Sequence, residues 1–178
     1  MTAKKPELEK GKKSEISLQN LQKRVPVDAA RLKRAARRML GSLGIQGSAL
    51  SIAVVDDDEI TRLNRRYFHR NRPTNVISFP MDSGDSSPLP HKILGDVVIS
   101  ADTAVRHAEE AGSDADDEIL FLLIHGILHL AGYDHEKDAA GEKEMEAKER
   151  ELFCLLARRS SRSECAKKGR GRSHRKPS

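Results

Sequence analysis

The chain has 178 residues, 33% of them charged and 37% hydrophobic, with a formal net charge of +5. That length suits one hydrophobic core with tails, and the balance excludes a membrane-embedded chain while leaving a strongly ionic surface. No apolar run approaches the roughly 20 residues that span a bilayer, and no apolar segment follows the N-terminal lysines, so neither membrane association nor a secretory signal is expected.

Charge is unevenly spread. Residues 1–24 carry seven Lys/Arg against three Glu and residues 157–178 carry nine against one, whereas residues 25–156 carry sixteen basic against twenty-three acidic side chains. The ends offer almost nothing apolar to bury. A basic flexible extension is therefore expected over 1–14 and a basic disordered tail over 159–178, flanking one domain at 15–158. Such segments either contact a polyanion through counterion release or only solubilise the chain. The two cysteines, Cys154 and Cys165, form neither a Cys-x-x-Cys pair nor a four-cysteine site. They are expected as free thiols of a reducing compartment, which implies the cytoplasm.

In chain order, Ala29, Leu32, Ala36, Met39, Leu40 and Leu43 recur at helical spacing, which predicts a helix from Asp28 to Leu43 with Asp28 as N-cap and Gly44 as stop. Residues 49–55 alternate and are β-branched, so they read as a strand, and 56–66 resume a helical pattern with Ile60 and Leu63 inward. Two more strands are predicted at 75–79 and 94–100, separated by a Ser/Pro/Gly-rich loop at 82–90. A helix follows from Ala101 to Ala111, then a more apolar one from Asp114 to about Ala131, acidic at its start and ended by Gly132. A last, highly charged helix covers about 138–158, with Met145, Leu152, Leu155 and Leu156 available for burial. The fold class is α/β (α+β): a single domain with a small, mostly parallel or mixed sheet of about four strands and helices packed on it.

The chemistry concentrates at the end of the apolar helix. His125 and His129 are four apart, which on a helix puts both imidazoles on one face. Gly132 can leave the helical conformation and turn the chain so that His135 swings back toward them. An isolated His-x-x-x-His is more often a surface or packing pair. Here three of seven histidines fall between 125 and 135, and three neutral imidazoles would give one zinc three positions and leave the fourth open, at the end of a buried helix. His69, His91, His107 and His174 lie outside the pattern and read as surface residues. The spacing matches the zinc-protease signature His-Glu-x-x-His-x-x-Gly-x-x-His, except that Gly126 stands where that signature needs its general base. A peptidase therefore lacks its base. Asp134 has two readings: a catalytic residue that orients an imidazole or a water, or a turn residue bonding its own backbone.

The block HisGlyIleLeuHisLeuAlaGlyTyrAspHis (125–135) resembles the signature of the YbeY family of bacterial endoribonucleases. ProThrAsnValIleSerPhePro (73–80) and LeuGlyAspValValIleSer (94–100) are similar to two further family segments. The resemblance implies a zinc-dependent, single-strand-directed endoribonuclease, a hydrolase of RNA phosphodiesters, acting in 16S rRNA maturation and ribosome quality control. It makes His125, His129 and His135 the ligands of one Zn2+ per chain. Ribosomal RNA and the small ribosomal subunit become the expected partners, with a ribosome-associated GTPase as a further one. Ser78 and Asp96 fall in the matching blocks and are candidates for RNA contact, with a purely structural role as the alternative. The family's usual Tyr-Arg-Gly is Tyr67-Phe68-His69 here, so the arginine's position holds Phe68, which can stack on a base but cannot pair with a phosphate. Arg70 and Arg72 are either replacements for that charge in RNA binding or solvated loop residues. Two other readings stay open: a ribosome-assembly factor with a structural zinc, and a zinc hydrolase of another substrate such as a peptide.

Overall fold

The computed structural model describes residues 13–81, 92–133 and 139–157. The first strand, β1 (Glu15–Asn20), leads to α1 (Ala29–Ser42), whose buried Leu32, Ala35, Ala36, Met39 and Leu40 follow the helical period and whose N-cap Asp28 accepts from the Arg31 N–H at 2.8 Å. β2 (Ala49–Val55) passes through Asp56, the N-cap of α2 (Asp57–Phe68), whose first turn carries Asp57, Asp58 and Glu59 against the helix dipole. That helix stops at His69, which adopts the left-handed conformation with φ 58°. β3 (Val76–Pro80) and β4 (Ile93–Ser100) follow, and Ser100 caps α3 (Ala101–Ala111). Asp114 caps α4 (Ala115–Leu130), and α5 (Ala139–Leu156) ends the described chain. Among the described residues no helix is long and apolar enough to cross a membrane.

The result is a single α/β domain that has, among the described residues, a four-stranded mixed sheet in the order β1-β2-β4-β3 and five helices. β1, β2 and β4 run parallel, and β3 lies antiparallel to β4 at the edge. One face meets α1, α4 and α5 in a core that includes Leu40, Ile52, Val97, Ile99, Leu123, Ile127 and Leu152. The other face carries a smaller cluster, Val55, Ile60, Ile77 and Val98, under α2. α4 is buried almost all round, which is why its sequence reads as apolar rather than amphipathic. At its start the buried Asp117 is paired with Arg31 of α1 at 2.5 Å. Gly95 has φ 141°, and a Cβ there would fall on the Phe79 carbonyl, so β3 can approach β4 only because this position has no side chain.

Three strands are legible in sequence; β1 is not, because only Ile16 and Leu18 face the core from a polar segment beside the lysine-rich end. Ser14, assigned by sequence to the flexible extension, is buried and accepts the Gly47 N–H at 3.0 Å. The rest of the two expected tails, 1–12 and 159–178, lies outside the described residues. Cys154 corrects the expectation of a free thiol, being disulfide-bonded; Cys165 lies outside the described residues.

Candidate metal centre

His125 and His129 lie one turn apart on α4, as the i, i+4 spacing requires, with ring centroids 4.6 Å apart and planes at 75°. Their Nε2 atoms approach to 3.1 Å. That separation is less than twice the about 2.0–2.1 Å of a zinc–imidazole bond, so one ion can touch both nitrogens. Beyond Leu130 the chain leaves the helix: Gly132 takes φ 92° and the Tyr133 N–H returns to the Leu128 carbonyl at 3.0 Å. Tyr133 packs back against the core. His135, the expected third ligand, and Asp134 lie outside the described residues, and among the described residues no group of three His, Cys, Asp or Glu forms a metal site.

The unexpected member of the site is Glu149. From α5 its Oε1 lies 2.6 Å from His125 Nδ1, and both residues are buried, at 6% and 7% exposure. A carboxylate only accepts, so this contact places the ring proton on Nδ1 and leaves the Nε2 lone pair facing His129, the tautomer a metal ligand needs. The two histidines together with this buried carboxylate therefore fit an imidazole-bound cation. The sequence did contain a signal for Glu149. In a helix full of surface charges it continues the buried stripe Met145, Leu152 and Phe153 at spacings of four and three, a position where an unpaired acid is costly.

Gly126 is held by contact rather than by flexibility. A Cβ there would stand 2.6 Å from Val97 Cγ1, 3.1 Å from Ser78 Oγ and 3.3 Å from Val76 Cγ2. The position that carries glutamate in the zinc-protease signature is thus pressed against β3 and β4, with no room for any side chain. Ser78 donates its hydroxyl to the Gly126 carbonyl at 3.0 Å, which ties the edge strand to the middle of α4. Of the sequence candidates, then, Ser78 does approach the histidine helix, bonded to its backbone.

Asp96 does not. It pairs with Phe79 across the β3–β4 ladder, and paired residues share a face; Phe79 packs on the α2 side, so Asp96 lies on the opposite side of the sheet from His125. Arg70 and Arg72 follow the left-handed exit of α2. Arg70 is exposed with its N–H near the Asn64 carbonyl at 3.4 Å, and the Arg72 carbonyl accepts from Asn64 Nδ2 at 2.8 Å.

A family model described as Endoribonuclease YbeY matches residues 17–157. A protein of Geobacter metallireducens named Endoribonuclease YbeY is 49% identical over 144 residues, covering 80% of this chain and 96% of that one. One of the same name from Geobacter sulfurreducens is 51% identical over 142 residues, 79% of this chain and 95% of that one. The solution structure of TM1509 from Thermotoga maritima aligns with a TM-score of 0.57 over 91% of this chain and 99% of that one, at 24% identity, a likeness of fold alone.

Proposed function

We propose, starting from the fact that this chain belongs to the YbeY family, that it is a metal-dependent endoribonuclease cutting single-stranded ribosomal RNA. The observation that carries this reading is the pair of Nε2 atoms 3.1 Å apart on α4, one of them turned by the buried carboxylate of Glu149. His125, His129 and His135 would hold one zinc, and the two basic ends would hold phosphates beside a middle segment that is itself acidic. A zinc so bound supplies a Lewis acid for a phosphoryl oxygen and a water acidic enough to ionise near neutral pH. The chain's own residues do the rest: Glu149 holds His125 in register, Ser78 fixes the turn of α4 that carries both histidines, and Asp134 orients a ligand or water. Maturation of 16S rRNA and ribosome quality control are the cellular roles, with the small subunit and a ribosome-associated GTPase as partners; a cytoplasmic location follows from that substrate and not from the cysteines, since Cys154 is disulfide-bonded.

A peptidase is disfavoured by the space at Gly126, which excludes the base it would need. The assembly-factor reading differs only in whether the metal acts on RNA. His129→Ala decides between them, by metal content of the purified protein and cleavage of a single-stranded fragment of small-subunit rRNA. One zinc per wild-type chain, with zinc and cleavage both lost in a folded variant, is expected. Stoichiometric zinc in a wild type that cuts no RNA would establish the assembly factor.

A further inference from the structure

The sheet face turned away from the histidines carries a second surface. The chain has six Phe and Tyr residues and no Trp, and three of the six meet here. Phe79 on β3 has Tyr67 edge-on at 4.9 Å and Phe68 stacked at 6.3 Å. The rings are open to solvent: Tyr67 is 52% exposed and Phe68 47%, and Met81, just beyond β3, is 51%. Adjacent exposed aromatics at the end of α2, packed on a residue of the edge strand, mark a contact surface, since nothing in the packing of the core requires them outside.

The surrounding charge says what kind of contact. From Thr61 to Pro80 the chain carries Arg62, Arg65, Arg66, Arg70 and Arg72 and no Asp or Glu; Arg62 is paired with Glu59, and Asp96 shares the face of Phe79 across the ladder, which leaves Arg65, Arg66 and Arg70 as the cations of the surface. The Arg66 guanidinium lies 5.5 Å over the Tyr67 ring, and Arg65 and Arg70, within three residues of Tyr67 in the chain, are exposed. Flat ring faces among cations fit a ligand that is itself flat rings joined by anions. We propose that Tyr67, Phe68 and the flanking Arg65, Arg66 and Arg70 form a stacking platform for unpaired nucleotides of a single-stranded RNA. The proposal rests on the RNA reading above and deepens it, by giving a physical reason for a single-strand requirement: bases already stacked and paired in a duplex have no free face to offer. The platform and the histidines lie on opposite faces, yet β3 is the edge strand and its neighbours Ser78 and Phe79 point to the two sides. An RNA strand passing round that edge reaches both.

The test uses the full-length protein and a labelled, unstructured oligoribonucleotide, with a duplex of the same length for comparison. Phe68→Ala and Tyr67→Ala are each expected to weaken single-strand binding by about five-fold or more, while Phe68→Trp preserves it. Arg66→Ala is expected to lower the slope of log Kd against log salt by about 0.7, the contribution of one phosphate contact, which Phe68→Ala leaves unchanged. Leu21→Ala, an exposed position just past the far edge strand β1, is the control with unchanged affinity and melting temperature. If the wild type binds no single-stranded RNA, the RNA reading itself falls. If it binds and both aromatic variants bind equally well, the platform alone is overturned, as it is if the patch proves to seat a protein.

Discussion

On one side of the sheet, strand residues meet α1, α4 and α5 in a core that runs from Ile16 to Ala157; on the other, α2 seals Val55, Ile60, Ile77 and Val98 and leaves Tyr67 and Phe68 half in solvent. The two histidines sit on the deep side, with a buried carboxylate behind one of them and a strand hydroxyl bonded to the helix between them. The arginines and open aromatic rings sit on the shallow side. Side chains whose mutual distance matters are held where several elements converge, and side chains that meet something outside lie where few do.

The deepest effect should come from Arg31→Ala, which leaves the buried Asp117 carboxylate without its 2.5 Å partner. A loss of about 3–5 kcal/mol is expected by denaturant unfolding, and a loss below 1 kcal/mol would mean that solvent reaches the α1–α4 seam. Gly126→Ala comes next, at about 1–3 kcal/mol, because the added methyl overlaps Val97 and must push α4 off the sheet. It should also disturb the histidine pair, readable as weakened zinc retention in a folded protein.

A pH effect is expected from Asp57, at the start of α2. Burial raises its pKa, but hydrogen bonds from Arg106, Ser100 and Thr103 and the Arg106 charge outweigh this, so the net value lies below the ordinary 3.8. Its contribution is therefore present above pH 3.8 and lost as pH falls through the depressed value. Asp57→Asn should flatten that acid limb in melts taken across the range. Smallest of all, Phe68→Ala should change stability by no more than about 0.5 kcal/mol. If it costs as much as Gly126→Ala, the contrast between the two faces fails.

Local patterns were readable in the sequence and the side of the sheet was not. The ends of α3, the cap Asp28 and the His125–His129 pair all follow from spacings of one to four residues. The face that Asp96 takes is not readable, because its neighbours Val97, Val98 and Ile99 are all apolar, so alternation does not say which face is which. The register shift between β2 and β4 removes the remaining clue. Glu149 was missed because its partner lies 24 residues away on another helix, and Cys154 because a disulfide depends on folded distance rather than spacing. The glycine at 126 was visible as a departure from the protease pattern, but its cause, the contact with Val97, belongs to the folded molecule.

The partnership of His125 with Glu149 also has an order in time. Chains are made from the N-terminus, and every strand of the sheet and both helical histidines precede residue 139, where α5 begins. The imidazoles can therefore be stacked on α4 while the carboxylate that orients one of them is still to be synthesised. A chain cut short before α5 would keep both histidines and lose the acceptor for Nδ1, so α5 is the step at which this pair acquires its fixed tautomer.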